Sequence, residues 1–332
     1  MKVKSLLFLI LIVLVLLTAF ACQKEAADPD PVPDPAPWQR VATFSGAAVR
    51  GAAAFSIGTN AYIVSGINFN QMTSQVYQYG STANTWSRKN DFPGVARLDA
   101  GGFAVGDKGY VCLGSDNVGF LGDIWEYDPQ TDSWTQKKDF PGSARMLSTV
   151  LVIRQRAYVI GGGSTNVRNK DVWEFDPQTD SWARKKDFPG AGFNGYAGFV
   201  IENKGYLYLG STNNSPSVSK FELWEYDPAN DSWTRKADFP GASRGYALAF
   251  SLGNKGYVGL GAQTEEPLPM IVPLDFWEYD PQGNSWSRQA DFPASGRSMA
   301  VSFTIGSLGY VGLGADSMMQ DLGDMWSFTP RQ

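Results

Sequence analysis

From Trp38 onward, apolar and polar residues alternate over short runs, and each run is cut off by Gly, Pro, Asn or Asp. Alternation with a period of two marks half-buried strands. One unit shows the pattern. Trp86-Ser87-Arg88-Lys89 leads into the turn Asp91-Phe92-Pro93-Gly94 and then Arg97. A small-residue strand follows from Ala100 to Val105, then Lys108 to Gly114. After a polar loop comes Asp123-Ile124-Trp125-Glu126-Tyr127-Asp128-Pro129, and Asp132-Ser133 introduce the next tryptophan. The phrase restarts at Trp38, Trp86, Trp134, Trp182, Trp233 and Trp286, at spacings of 48, 48, 48, 51 and 53 residues. Each unit therefore holds four strands, here called a, b, c and d, with d starting at the tryptophan. Four strands in a period near 48 select an all-β, six-bladed β-propeller over a sandwich or barrel.

Two features of the strands fit that architecture. Strand a is small-sided (Gly51-Ala52-Ala53-Ala54, Ala100-Gly101-Gly102, Tyr196-Ala197-Gly198), as required where inner strands converge on an axis. Strand c carries one recurrent aromatic (Tyr77, Trp125, Trp173, Trp224, Trp277, Trp326), expected to pack between blades. The ends of the chain complete the count. It opens with a d strand, Trp38 to Val41, and closes with a, b and c at Ser298 to Ile305, Leu308 to Gly314 and Asp324 to Phe328. The N-terminal strand is thus expected to complete the last blade, removing two open sheet edges.

Ahead of the repeats, Lys2 and Lys4 precede an apolar stretch of 17 residues, Ser5 to Ala21, and then Cys22. The stretch is short for a membrane span. Ala19-Phe20-Ala21-Cys22 resembles the lipobox of bacterial lipoproteins, although Phe20 is bulky for that motif. The resemblance implies cleavage before Cys22 and acylation of its sulfur and new amino terminus, enough for stable anchoring. Gln23 after it would direct the product toward the outer membrane. The alternative is an uncleaved anchor helix, and both readings put the rest of the chain outside the cytoplasm. Five prolines and four carboxylates between Gln23 and Pro37 read as an extended tether. The organisation expected is residues 1–21 signal peptide, 22–37 Pro/acidic tether and 38–332 a monomeric propeller.

Charge and chemistry narrow the function. The formal charge is −5, or −7 without the two signal-peptide lysines, and no basic run exists. Nucleic acid and anionic headgroups are therefore disfavoured as partners, leaving membrane contact to the anchor. With Cys22 committed to lipid, Cys112 stands alone in the apolar strand Tyr110-Val111-Cys112-Leu113 and reads as a core residue. There is no histidine, which removes Ser-His-Asp and Cys-His catalysis and His-ligated zinc, copper or iron. No cofactor or metal is expected, although carboxylate chemistry and oxygen-ligated calcium stay open. The repeated Asp-Pro-Gln-Thr-Asp-Ser-Trp looks faintly like a calcium loop, but proline between two strands argues for a hairpin turn.

The whole phrase resembles the kelch repeat: the tyrosine and glycine of strand b, Asp-x-Trp-x-Tyr-Asp of strand c, the spaced tryptophan and Pro-x-x-x-Arg before strand a. The resemblance runs from Trp38 to the end of the chain. Strand b departs from it, since only Gly161-Gly162 keeps the usual glycine pair, against Ser65-Gly66, Leu113-Gly114, Leu209-Gly210, Leu260-Gly261 and Leu313-Gly314. Galactose oxidase carries such a propeller, but its copper site needs histidines this chain lacks. Periplasmic sialic acid mutarotases resemble the chain in size and blade number, without a match for their catalytic residues.

In kelch propellers the d–a and b–c loops share one face. There the sequence places Arg50, Arg97, Arg145, Arg244 and Arg297, with Phe193 breaking the series. Kelch adaptors that bind acidic peptides carry ligand contacts at similar positions, so guanidinium forks suited to a carboxylate are one reading. The other is that these arginines brace neighbouring loops. The b–c loops vary, as binding loops do, and carry Phe69, Phe120, Met270, Met318 and Met319 as candidate contacts or as residues folded back over the blade. The expected function is a lipid-anchored binding or scaffold module of the cell envelope, engaging a protein, peptide or glycan. The alternative is a carbohydrate-active enzyme such as a mutarotase, using Glu265, Glu266, Asp116 or Asp316.

Overall fold

A computed structural model of the chain describes residues 36–190, 197–210, 221–263 and 269–330. Within them lie six four-stranded antiparallel sheets. Blade 1 runs Ala53–Ile57 (a), Asn60–Val64 (b), Val76–Gly80 (c) and Thr85–Lys89 (d), in that order from inside out. Blade 2 repeats it with Gly101–Val105, Lys108–Cys112, Ile124–Asp128 and Ser133–Gln136. Strand a of every blade touches strand a of both neighbours, blade 6 against blade 1 included, so the sheets form a closed ring.

Strand a alternates buried and half-buried residues throughout. The buried set packs into the inter-blade core. The half-buried set, which includes Ala54, Ala104, Val152, Gly198, Ser251 and Thr304, lines an axial channel. Six hydrophobic clusters fill the gaps between adjacent blades; the one between blades 1 and 2 joins Phe55, Tyr62, Phe92 and Tyr127, with Trp125 and Trp134 packed against it. Each such aromatic contributes about 2 kcal/mol through removal from water. Blade spacing also explains the strand-b glycine. A Cβ on Gly109 would lie 2.0 Å from the ring of Phe55 in the preceding blade. Cys112 sits in the next cluster, between blades 2 and 3, and burial pushes its thiol up to about 12, so it is no nucleophile at neutral pH.

The Asp or Asn before the d strand of each of blades 1 to 5 has two tasks. At φ of 50°, Asp132 occupies the left-handed region that Asp and Asn tolerate. Its carboxylate accepts the Tyr127 hydroxyl at 2.7 Å and the backbone N–H of Asn90, in the preceding blade, at 3.2 Å. Asp180 and Asp231 repeat the reach to Lys138 and Lys186. These stretches are hairpin turns that also fasten one blade to the next.

The ring closes as the sequence implies. Trp38–Arg40 pairs antiparallel with Met325–Phe328, Trp38 opposite Phe328 and Arg40 opposite Trp326. The Trp38 indole is buried, edge-on to Phe276 and Phe292 with centroids 5.1 Å away, and its Nε1 donates to the Ala290 carbonyl at 3.1 Å. Several strands are one or two residues shorter than expected, and one boundary moves further. Strand a of blade 6 is Val301–Ile305 and does not begin at Ser298, because Ser298 forms an isolated bridge to Ala315 and Met299 takes a φ of 50°, which breaks the extended run.

Candidate functional site at the loop face

The d–a and b–c loops meet at one end of the ring, and Arg97 shows how. It leaves the d–a loop and donates from Nη1 and Nη2 to Asp123 Oδ1 and Oδ2, both at 2.7 Å, and from Nη1 to the Leu113 carbonyl at 2.9 Å. Leu113 and Asp123 flank the b–c loop of blade 2. Nε donates to Val95 O, and the guanidinium lies 4.9 Å from the Phe92 ring centroid. Arg145 pairs in the same way with Asp171, Arg244 with Asp275 and Arg297 with Asp324. All four arginines are at most 1% exposed. The second oxygen of each aspartate also accepts a tryptophan Nε1, from Trp125, Trp173, Trp277 and Trp326. Burial pushes these carboxyls up, but the guanidinium fork and the indole N–H outweigh it and hold all four below the usual range.

This corrects the reading of Arg97, Arg145, Arg244 and Arg297 as ligand contacts: each fork is filled from within its own blade. Arg50 is corrected differently. It stands one position out of register, and Val49, buried, takes the bracing place, since Arg50 bridges Ile67 as Leu98 bridges Ser115. Blade 1 has Gln75 where the others have an acid before strand c. Arg50 turns instead across to blade 6, donating to Asp321 at 2.5 Å and to Phe69 O at 3.0 Å, while the Phe69 N–H donates to Asp321 at 2.7 Å. In blade 4 the bracing position is Phe193, which lies outside the described residues. Its acid counterpart there is Glu222, which accepts Trp224 Nε1 and pairs with Arg235 at 3.4 Å.

The remaining candidates separate cleanly. Met270 is not a contact point: it is 6% exposed, with its N–H donating to Ser317 O, on the b–c loop of blade 6, at 2.8 Å. Met318 is 53% exposed. Asp116 and Asp316 are turn anchors, accepting the N–H groups of Val118 and Gly119, and of Met318 and Gln320. These bonds lower the Asp116 pKa, the wrong direction for a general acid. Glu265 and Glu266 lie outside the described residues.

Two features of this face escape a reading of single residues. The first is an apolar crown. Phe69, Val118, Val167, Ile271 and Met318 are all more than half exposed, one on the b–c loop of each of blades 1, 2, 3, 5 and 6. The other exposed large hydrophobics among the described residues, Val95 and Leu274, belong to loops of the same face. The second is a collar at the channel mouth. Gly51, Asp99, Leu147, Tyr246 and Met299 hold equivalent places in five blades and all have φ between 50° and 62°. They surround a cavity of about 200 Å³ with Asp99 on its wall. Asp99 went unnoticed because it belongs to no repeated motif. The signal available was the reverse: two residues past the bracing position, the repeats vary freely among Gly51, Asp99, Leu147, Tyr246 and Met299.

Comparison with known proteins fits this geometry. Residues 144–189 match the model of the kelch motif. The solved structure titled "Structure of YjhT" superposes with a TM-score of 0.74 over 88% of this chain and 97% of that one, at 17% identity, a likeness of fold. The N-acetylneuraminate epimerase of Yersinia enterocolitica serotype O:8 / biotype 1B is 38% identical over 66 residues, 19% of this chain and 17% of that protein. The matched segment thus spans under a fifth of that relative. The chain is thus a six-bladed β-propeller with the kelch motif matched in its third repeat and the elements of that motif recurring in the blades around it.

Proposed function

We propose that the protein is a binding module that docks a protein or peptide partner on its loop face, held at the cell envelope by an acylated Cys22. The observation that carries the reading is the crown. Every exposed large hydrophobic among the described residues lies on one face, on loops rich in Ser, Asn and Gly. Apolar side chains gathered on one face and separated by polar loops mark an interaction surface. Only Phe69 among the five crown tips is aromatic, which favours a polypeptide over a glycan, since sugars stack on aromatic rings.

The test is a tagged full chain carrying Phe69→Ser, Val118→Ser, Val167→Ser and Met318→Ser together. Its melting temperature should match the wild type, because these side chains are exposed, while capture of envelope proteins should fall at least tenfold. Equal capture by wild type and variant would sink the reading. Acylation of Cys22 is checked by palmitate labelling, which Cys22→Ser should abolish.

A second reading draws on the segment shared with the N-acetylneuraminate epimerase and on the YjhT fold: a carbohydrate-active enzyme of mutarotase type. Against it stands the use of Asp116 and Asp316 as turn anchors. Following N-acetylneuraminate anomers by NMR decides the matter, since acceleration by the wild-type protein would replace the binding reading.

A further inference from the structure

The channel runs through three compartments of about 200, 240 and 280 Å³ that share walls from the loop face inward. Its lining is Gly, Ala, Ser, Thr, aliphatic, aromatic and Met side chains, with one charged residue, Asp99, among the described residues. Water can enter such a tube, but a carboxylate half out of water on its rim is costly unless something positive answers it.

Among the described residues nothing fully does. Arg50 faces Asp99 and its charge lowers the Asp99 pKa, but burial outweighs it and leaves the carboxyl pushed up to about 7. The Arg50 guanidinium is committed to Asp321, itself 2% exposed, and to Phe69 O. Arg50 and Asp321 cancel as a pair, so the mouth retains the charge of Asp99.

The collar backbone directs this group. The N–H of Gly51 donates to Met299 O at 2.9 Å, that of Asp99 to Gly51 O at 2.8 Å and that of Leu147 to Asp99 O at 3.0 Å, a belt passing from blade to blade. Asp99, Leu147, Tyr246 and Met299 all take a left-handed conformation that bulky residues rarely adopt. Backbone strain of this kind persists only where surroundings over-determine it, and it clusters at ligand sites. The absence of a side chain on Gly51 lets the Asp99 carboxylate pack close over it: a Cβ there would lie 3.0 Å from Asp99 Oδ1.

We propose that the channel mouth is a binding site for a primary ammonium group, which Asp99 holds by charge-assisted hydrogen bonds while Leu147, Tyr246 and Met299 surround its alkyl stem. An anionic carboxylate meets a phenol ring and two aliphatic surfaces here, the combination that suits a cation on an apolar stem. A cavity of about 200 Å³ is smaller than the ~300 Å³ at which pockets for whole drug-sized molecules begin. The site therefore takes the end of a lysine side chain or a small alkylamine. A carboxylate ligand is repelled.

The site uses none of the crown residues, so its fate and that of the docking reading are separable. The experiment is titration of the purified full chain, with 13C-methyl-labelled methionine, by n-butylammonium, reading the Met299 methyl signal. A saturable shift is expected at pH 8. Butyrate should give none, and Asp99→Asn should weaken binding at least tenfold. Because binding needs the ionised carboxylate, affinity should fall close to tenfold from pH 8 to pH 6, through a carboxyl titrating about 7. Repeating the titration with a lysine-containing peptide and with the crown variant separates the sources. A peptide that binds tighter than butylammonium to the wild type alone marks a lysine of the docked partner, whereas equal binding to both proteins marks a free amine. No shift, equal binding by Asp99→Asn, or butyrate binding as well as the amine overturns the proposal.

Discussion

Arg97 and Asp123 stand 26 residues apart yet act as one group. The guanidinium is wholly buried and its charge is answered by a single carboxylate. Removing one partner of such a pair strands the other and costs about 3–5 kcal/mol. Arg97→Ala should therefore lower the urea midpoint sharply, whereas Arg50→Ala, at the more open mouth, should cost less. The sign with pH follows from Asp123, whose folded pKa lies below the unfolded value. Its contribution is fully present above the ordinary carboxylate pKa of about 4 and is lost as pH falls through the lower folded value. The gap between wild type and Arg97→Ala should thus narrow below about pH 4. Sequence left binding and bracing both open for these arginines. A covariation inside the chain pointed to bracing. Where the arginine is missing the aspartate is missing too: the repeat with Val49 in the arginine position has Gln75 in the aspartate position, and the repeat with Phe193 has Glu222.

At the scale of the strand, the small residues of strand a reflect contact with the next blade as much as the channel. A Cβ on Gly102 would sit 2.6 Å from the backbone N and O of Ala54 in blade 1, and backbone cannot swing aside. Gly102→Ala should cost on the order of 1–3 kcal/mol in overpacking. Gly119→Ala, with nothing within 4 Å of its would-be Cβ, should leave the melting temperature unchanged. Differential scanning calorimetry of the two variants checks both. The pattern of alternation located the strands because period-two burial is a local property. It misplaced the start of strand a in blade 6, since Met299 is turned into the left-handed region by the inter-blade belt, which local sequence does not encode.

For the molecule as a whole, Trp38 joins the first strand to the last blade. Its indole fills a pocket between blades 5 and 6, and its strand covers an otherwise open edge. Trp38→Ala should cost about 3–5 kcal/mol for the lost aromatic. It should also raise the fraction eluting as oligomer in size-exclusion chromatography, as exposed edges pair with other chains. A variant that stays monomeric and as stable as the wild type would show that closure does not depend on this strand.

The sequence alone determined the number of blades, their phase and the way the circle closes. Those properties follow from repetition, and repetition is visible in one dimension because every unit solves the same packing problem. Only the tertiary structure decided which polar groups remain free. Arg97 is consumed by a carboxylate 26 residues on in its own blade, Arg50 by Asp321 across 271 residues, and Asp99 is left at the axis with no paired cation among the described residues. Accessibility is a sum over contacts that no single repeat contains. That is why the crown and the collar emerged only once the ring was closed.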